Sequence, residues 1–170
     1  KVLDAMNRGS TKEEFIALAQ KRKKAIPDIG LTPDIIVGFP GETDEDFQDT
    51  LDVVKAVNFE NAFMFSYSKR TGTPAATLEE QVSEQVKKER LQQLIRLQND
   101  RAKEESKKYL GQTLRVLVEG PSRKNPEMTA GRSSSHKIVL FKSDTDLTGK
   151  FADVKIYETK TWTLYGELVK

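Results

Sequence analysis

The chain reads as an α/β segment followed by an all-β segment, and three observations carry that reading. Up to about residue 106, helix-periodic stretches alternate with short apolar runs. From residue 107 onward only short alternating runs occur, broken by Gly111, Gly120, Gly131, Gly149 and Gly166. The charge changes sign at the same place: residues 1–106 carry 16 basic and 19 acidic groups, whereas 107–170 carry 12 and 7. Alternation of helix and strand followed by strands alone is the pattern of an α/β unit joined to a small barrel or sandwich.

Each element has a local cause. Ser10 three residues before Glu13 predicts a capping box, after which Phe15, Leu18, Ala19, Arg22 and Ile26 keep helical spacing until Pro27. Thr32 and Pro33 open the run 34–39, Asp-Ile-Ile-Val-Gly-Phe, whose unbroken apolar character predicts a strand covered on both faces. Pro40 and Gly41 end it. Thr43 with Asp46 starts a second helix that places Phe47, Leu51, Val54 and Val57 on one face, with acidic residues 44–46 at its positive end. Residues 62–67 form the next strand, and strand, helix and strand in succession predict a parallel pair. Ser83 begins a helix expected to run to Tyr109, roughly 40 Å long. Val86, Leu91, Leu94, Ile95, Leu97 and Ala102 form its apolar stripe, while Lys87, Lys88, Glu89, Arg101, Glu104 and Glu105 solvate the other side. Five strands follow, at 113–119, 127–132, 136–141, 151–157 and 162–169, which in so short a stretch predict an OB-like barrel.

Composition excludes several classes. Of the 170 residues, 36% are hydrophobic, enough for two small cores. There is no cysteine, so this chain makes no disulfide, thiol nucleophile or thiolate-held cluster, and a single histidine makes no multi-histidine metal site. No apolar run approaches a membrane span and the N-terminus lacks the apolar core of a signal peptide, so a cytoplasmic protein without a membrane partner is the expectation. A net charge of +2 does not by itself name a partner.

Two loops carry chemistry. The turn after the first strand, residues 38–43, sits where α/β folds bind ligands, at the carboxyl end of a parallel strand and before a helix N-terminus. There Gly38 would let a flat ring approach and Glu42 would accept a hydrogen bond; the plain alternative is a tight βα turn with an acidic helix start. The stretch 67–76 follows the second strand in the equivalent place, and Arg70 offers a planar fork to a carboxylate or phosphate unless it is simply a solvated loop arginine. In the basic half, Arg115, Arg123, Lys124, Arg132 and Lys137 fall on or between strands, with His136, Trp162 and Tyr165 available for stacking. Such a surface suits an RNA backbone with splayed bases. A merely solvated surface, a strand-capping His136 and a core-anchoring Trp162 are the competing readings.

A sheet of only two strands, one of them apolar throughout, predicts missing neighbours. Either the chain is cut from a longer protein, as a start inside a helical pattern without initiator methionine suggests, or the flanks at Ile35, Val37, Phe63 and Phe65 pair with a second copy.

The stretches TPDIIVGFPGETDEDFQDTLDVVK, FSYSKRTGTPAATLEEQVSEQVKKERLQQLIRLQN, LRVLVEGPSRKNPEMTAGR and ETKTWTLYGEL resemble the radical-SAM methylthiotransferases of the MiaB type along essentially the whole chain. The resemblance implies that residues 1–106 are the C-terminal part of a radical-SAM partial (β/α) barrel and residues 107–170 a TRAM domain. It implies a full-length enzyme, expected as a monomer, that uses S-adenosyl-L-methionine (SAM) and two 4Fe–4S clusters to methylthiolate C2 of a prenylated adenosine next to the tRNA anticodon. The cluster cysteines are expected upstream of Lys1, so this segment alone should be inactive, and its cut sheet should favour self-association or partial disorder.

Carried over residue by residue, the resemblance places Ile36 and Gly38 against the adenine of SAM, with Glu42 and Arg70 as further cofactor contacts. The family's Gly-x-Ile-x-Gly-x-x-Glu pattern is departed from twice, since Asp34 stands at the first glycine and Glu42 arrives one residue late. Arg115, Arg123, Lys124, Arg132, His136, Lys137 and Trp162 would grip the tRNA anticodon stem-loop. Two further readings stay open: a methylthiotransferase acting on threonylcarbamoyl-adenosine in tRNA, and an RNA-binding module without catalysis.

Overall fold

A computed structural model describes residues 1–169. The chain divides into two compact units, one made of Lys1–Pro27 and Leu31–Arg101, the other of Asp28–Gly30 and the chain from Ala102 onward.

The first unit contains α1 (Val2–Ala5), α2 (Lys12–Ala25), β1 (Asp34–Val37), α3 (Asp44–Val57), β2 (Phe63–Ser66), α4 (Pro74–Thr77) and most of α5 (Glu84–Ser106). β1 and β2 form a two-stranded parallel sheet pairing Asp34 with Phe63 and Val37 with Ser66. The α3 cap is the predicted one: the Thr43 hydroxyl accepts from Asp46 N–H and the Asp46 carboxylate accepts from Thr43 N–H. Its buried face is Phe47, Leu51, Val54 and Val57, packed with Val37, Phe59 and Leu94. On α2 the capping box lies one residue later than the sequence pattern suggests, at Thr11 and Glu14. Serine and threonine are equivalent acceptors, and Thr11 with Glu14 holds the same three-residue spacing. Of the apolar α2 positions only Ala19 is buried; Phe15 and Leu18 remain exposed, as does Ile26 just past the helix end.

The expectation that β1 is covered on both faces is corrected. Ile35, Val37 and Met64 pack into the core under the helices, whereas Ile36, Phe63 and Phe65 are 37, 55 and 51% exposed. Alternation sends neighbouring side chains to opposite faces, and the unit's core cluster lies on one face only. The apolar residues open to solvent on this sheet are therefore Ile36, Phe63 and Phe65, not Ile35 and Val37.

α5 also departs from its expected pattern. Its α-helical part ends at Ser106, and one 3-10 turn carries the chain through Tyr109. Its buried positions include Lys87, Arg90, Gln98 and Ser106 beside Leu94 and Ala102. Lys87 is buried and not solvated, because its stem lies against Gly38 and its ammonium reaches Glu84. A long side chain can bury its methylenes while its charged head finds a carboxylate.

The second unit is a closed five-stranded barrel of β3 (Thr113–Pro121), β4 (Thr129–Ser133), β5 (Ile138–Phe141), β6 (Phe151–Thr159) and β7 (Thr163–Leu168), in the order β3-β4-β5-β7-β6. All neighbours are antiparallel except β5 and β7, which run parallel. Val116, Val118, Val139, Phe141, Val154, Ile156 and Leu164 fill the interior. β5 begins at Ile138 because His136 occupies a left-handed turn conformation, φ 62°. Gly131 and Gly166 allow the strands to close: a Cβ on Gly131 would stand 2.7 Å from Val116 Cγ2, and one on Gly166 would meet Val154 and the Lys155 carbonyl. Register shifts at Val118/Gly120 and Ile156/Glu158 bend the two long strands, as a small barrel requires.

Candidate functional site

The first candidate site lies at the carboxyl ends of β1 and β2. The Tyr67 N–H donates to the Val37 carbonyl at 2.8 Å, so the two strands leave the sheet together before their loops diverge. Gly38 (φ 74°) and Gly41 (φ 78°) both take left-handed conformations that a side chain would strain. Gly38 is also the place where another group comes close to the backbone, and that group is the Lys87 stem, which a Cβ would strike.

Glu42 turns inward. Its Oε1 accepts from Gly38 N–H at 2.9 Å and from Arg90 at 2.7 Å, while Arg90 also donates to the Glu42 carbonyl at 3.1 Å and to Asp44 at 2.7 Å. Burial pushes the Glu42 carboxyl above its ordinary value, against the lowering effects of the Gly38 N–H and the Arg90 guanidinium. Both side chains are nearly inaccessible, 4% exposed for Glu42 and 9% for Arg90. As placed, the carboxylate clasps its own turn and does not face solvent.

Ile36 stands on the open sheet face beside Phe65, its register partner. Arg70 is exposed on the loop after β2, and its carbonyl accepts from Thr73 N–H and hydroxyl. Phe39 and Tyr67 make an edge-on ring pair at 5.3 Å, with the Lys87 ammonium 5.3 Å from the Tyr67 ring. The Tyr67 hydroxyl is buried without a hydrogen-bond partner. The structure thus separates the four predicted cofactor contacts into two on accessible surface, Ile36 and Arg70, and two, Gly38 and Glu42, held by α5. Sequence reasoning missed Lys87 and Arg90. Their spacing puts them on one helical stripe with Leu94, but Lys87 reads as solvated by its charge and Arg90 has no apolar signal to single it out.

In the barrel, strand directions place the loop between β3 and β4 and the loop between β5 and β6 at one end, and the β4–β5 and β6–β7 turns at the other. Arg123 and Lys124 sit at the first end, His136 and Trp162 at the second. Lys137 is only 4% exposed: its ammonium donates to Ser106 Oγ at 3.2 Å, beside a Tyr109–Ser135–Ser133 hydroxyl chain. It is therefore corrected from surface cation to interior group. Its neighbour Ile138 points to the barrel exterior, and strand alternation turns Lys137 the other way.

The outward face of β4, β5 and β7 presents Arg132, Ile138, Leu140, Thr163 and Tyr165 in adjacent register. Arg132 is held by Glu119 at 2.7 and 3.2 Å, which lowers the Glu119 carboxyl and raises the guanidinium. The Lys160 ammonium lies 4.7 Å from the Tyr165 ring centre. Arg115 lies on β3, its guanidinium 5.1 Å from the Phe151 ring. In barrels of this topology the second and third strands form the surface that receives oligonucleotides.

Among the described residues no helix is long and apolar enough to cross a membrane, and no group of three or more His, Cys, Asp or Glu side chains could hold a metal ion.

Comparison with known proteins agrees with this division. Residues 1–54 match the radical SAM superfamily and residues 107–169 match the TRAM domain. Over 168 residues the chain is 58% identical to tRNA-2-methylthio-N(6)-dimethylallyladenosine synthase of Fusobacterium nucleatum subsp. nucleatum, a match covering 99% of this chain and 39% of that protein. The proteins of the same name from Acetivibrio thermocellus and Moorella thermoacetica are 53 and 46% identical, covering 100 and 99% of this chain but 35 and 38% of their own lengths. The chain therefore spans well under half the length of the relatives it matches. A radical SAM match and then a TRAM match over the barrel follow one another in the same order as the two units of the fold, and similarity to these synthases runs from end to end.

Proposed function

We propose that this chain is part of an enzyme that methylthiolates C2 of a prenylated adenosine beside the tRNA anticodon, with residues 1–106 contributing to a SAM-binding barrel and residues 107–170 gripping the tRNA. The observation that carries the reading is the pairing of an open βα unit with a closed barrel of OB strand order in one continuous match to the synthases.

For the cofactor, the fit lies on the open sheet face. Ile36 and Phe65 offer an apolar wall suited to an adenine ring, and Arg70 lies on the loop that leaves the same strand end. The interior bond of Glu42 assigns it to shaping the turn, and Gly38 serves the same turn through its N–H and its contact with Lys87. Ile36, Phe65 and Arg70 would hold SAM, which when bound would supply radical chemistry. This chain's residues bind and orient; having no cysteine, they hold no cluster through thiolates.

For tRNA, Arg132 and Lys160 flank an outward face of Ile138, Leu140 and Tyr165 on which an unpaired base can lie, while Arg123, Lys124, His136 and Trp162 reach the backbone from the two ends. Phosphate contacts fix register and leave the target base to be unstacked.

The test uses the full-length protein with its clusters, a tRNA carrying the prenylated adenosine and one carrying threonylcarbamoyl-adenosine. Methylthio transfer to the first supports the reading; transfer only to the second assigns the other substrate; tRNA binding without either product leaves an RNA-binding module.

A further inference from the structure

The outer positions of a barrel strand are ordinarily polar, and β6 breaks this rule at its first residue. Phe151 is 63% exposed, the largest exposure among the big apolar side chains of the described residues. Leu117, its direct partner across the β3–β6 ladder, is 42% exposed. Two apolar side chains facing each other on an outer sheet surface are an informative exception, because scattered single ones need no explanation whereas adjacent ones mark contact surfaces.

Arg115 completes the arrangement. Asp153 stands directly opposite it in the register, yet no ion pair joins the two; the guanidinium instead lies 5.1 Å from the Phe151 ring centre. Lys150, immediately before Phe151, is exposed as well. The patch therefore combines an aromatic ring, a planar cation resting on it and a second cation beside it. That is the chemistry that receives a flat ring bearing an adjacent anion, which is to say a nucleotide.

Resting on the reading of this barrel as an RNA-binding module, we propose that Phe151 with Arg115 and Leu117 forms a stacking platform for one unpaired nucleotide of RNA, on the β3–β6 face and separate from the β4–β5–β7 face. The base stacks on the ring or on the guanidinium plane, and the arginine donors and Lys150 meet the flanking phosphate. Such stacking tolerates any base, so the platform holds and orients a strand without reading its sequence.

The test measures binding of the 170-residue chain to fluorescein-labelled single-stranded oligoadenylate and oligouridylate of about eight nucleotides, a length within the site size of such barrels, and to a G·C-paired RNA hairpin as the duplex. Phe151→Ala should weaken single-strand binding about tenfold, Phe151→Trp should restore it to within about twofold of wild type, and duplex binding should change little because its bases are stacked away. Arg115→Gln should weaken single-strand binding and reduce its salt dependence. Unchanged single-strand affinity in Phe151→Ala overturns the platform while leaving the RNA reading intact; absence of RNA binding by the wild-type chain at low salt overturns both. Equal loss for single strand and duplex overturns stacking. A wild-type dimer that Phe151→Ala converts to monomer in sedimentation velocity, with RNA affinity kept, assigns the patch to a second copy instead. Thermal melts by circular dichroism of each variant separate these outcomes from loss of fold.

Discussion

The guanidinium of Arg90 on α5 donates to the carboxylate of Glu42 at 2.7 Å and to the carbonyl of the same residue at 3.1 Å, across 48 residues of sequence. A late helix thereby fixes the turn that follows the first strand. Both charges are buried, so each depends on the other: removing one partner of such a pair leaves an uncompensated charge and costs about 3–5 kcal/mol. Arg90→Gln should lower chemical stability by about that amount, and the double variant Arg90→Gln with Glu42→Gln should lose less than the two single changes together. Urea unfolding of the four proteins in a double-mutant cycle checks this; additive losses would contradict it.

Glu42 also predicts a pH dependence. Its carboxyl is raised above the ordinary value, first because it is buried. The folded state therefore holds the proton more tightly than the unfolded chain. Stability from this group is present below the unfolded value and falls as pH rises from there through the raised folded value. In urea titrations across that window, wild type should lose stability relative to Glu42→Gln as pH rises and then stay level. A difference that grows in wild type's favour would contradict the assignment.

The barrel interior supplies a third expectation. A methyl group at Gly166 would meet Val154 and the Lys155 carbonyl, the latter at 2.6 Å. Gly166→Ala should cost about 1–3 kcal/mol through overpacking, whereas Gly149→Ala, with nothing within 4 Å, should cost less despite its φ of 77°. Differential scanning calorimetry should show the larger fall in Tm for Gly166→Ala.

Arg132 is held by Glu119, and under the proposed function it would also meet an RNA phosphate. The exposed pair contributes little to stability. Glu119→Gln should leave the melting temperature nearly unchanged but tighten RNA binding, because the acidic competitor is gone. Titrations of labelled stem-loop at low salt check this; weaker binding in Glu119→Gln would mean that Glu119 positions Arg132 for the RNA.

Much of this fold was legible in the chain because its causes are local. Thr43 with Asp46 announced α3, the 3.6-residue spacing of Phe47, Leu51, Val54 and Val57 gave its buried face, and alternating residues with spaced glycines gave five strands. Features set by distant partners were not legible. Lys87 read as a solvated charge and Arg90 drew no reading at all, and only the approach of Gly38 and Glu42 buries them. Lys137 looked like one more surface cation, although alternation from Ile138 turns it inward. Phe151 carried a signal that could have been read, since it stands in phase with Asp153 and Lys155 on the outer face of its strand.

Under the proposed function, residues 107–170 hold tRNA while the preceding unit contributes to the reaction centre. Its most direct test is the affinity of the chain for an anticodon stem-loop measured across salt concentrations. The expected result is binding whose log affinity falls linearly with log salt, with a slope of about −2 to −4 for a handful of phosphate contacts. Affinity no greater than for an uncharged control protein, or affinity indifferent to salt, would contradict it.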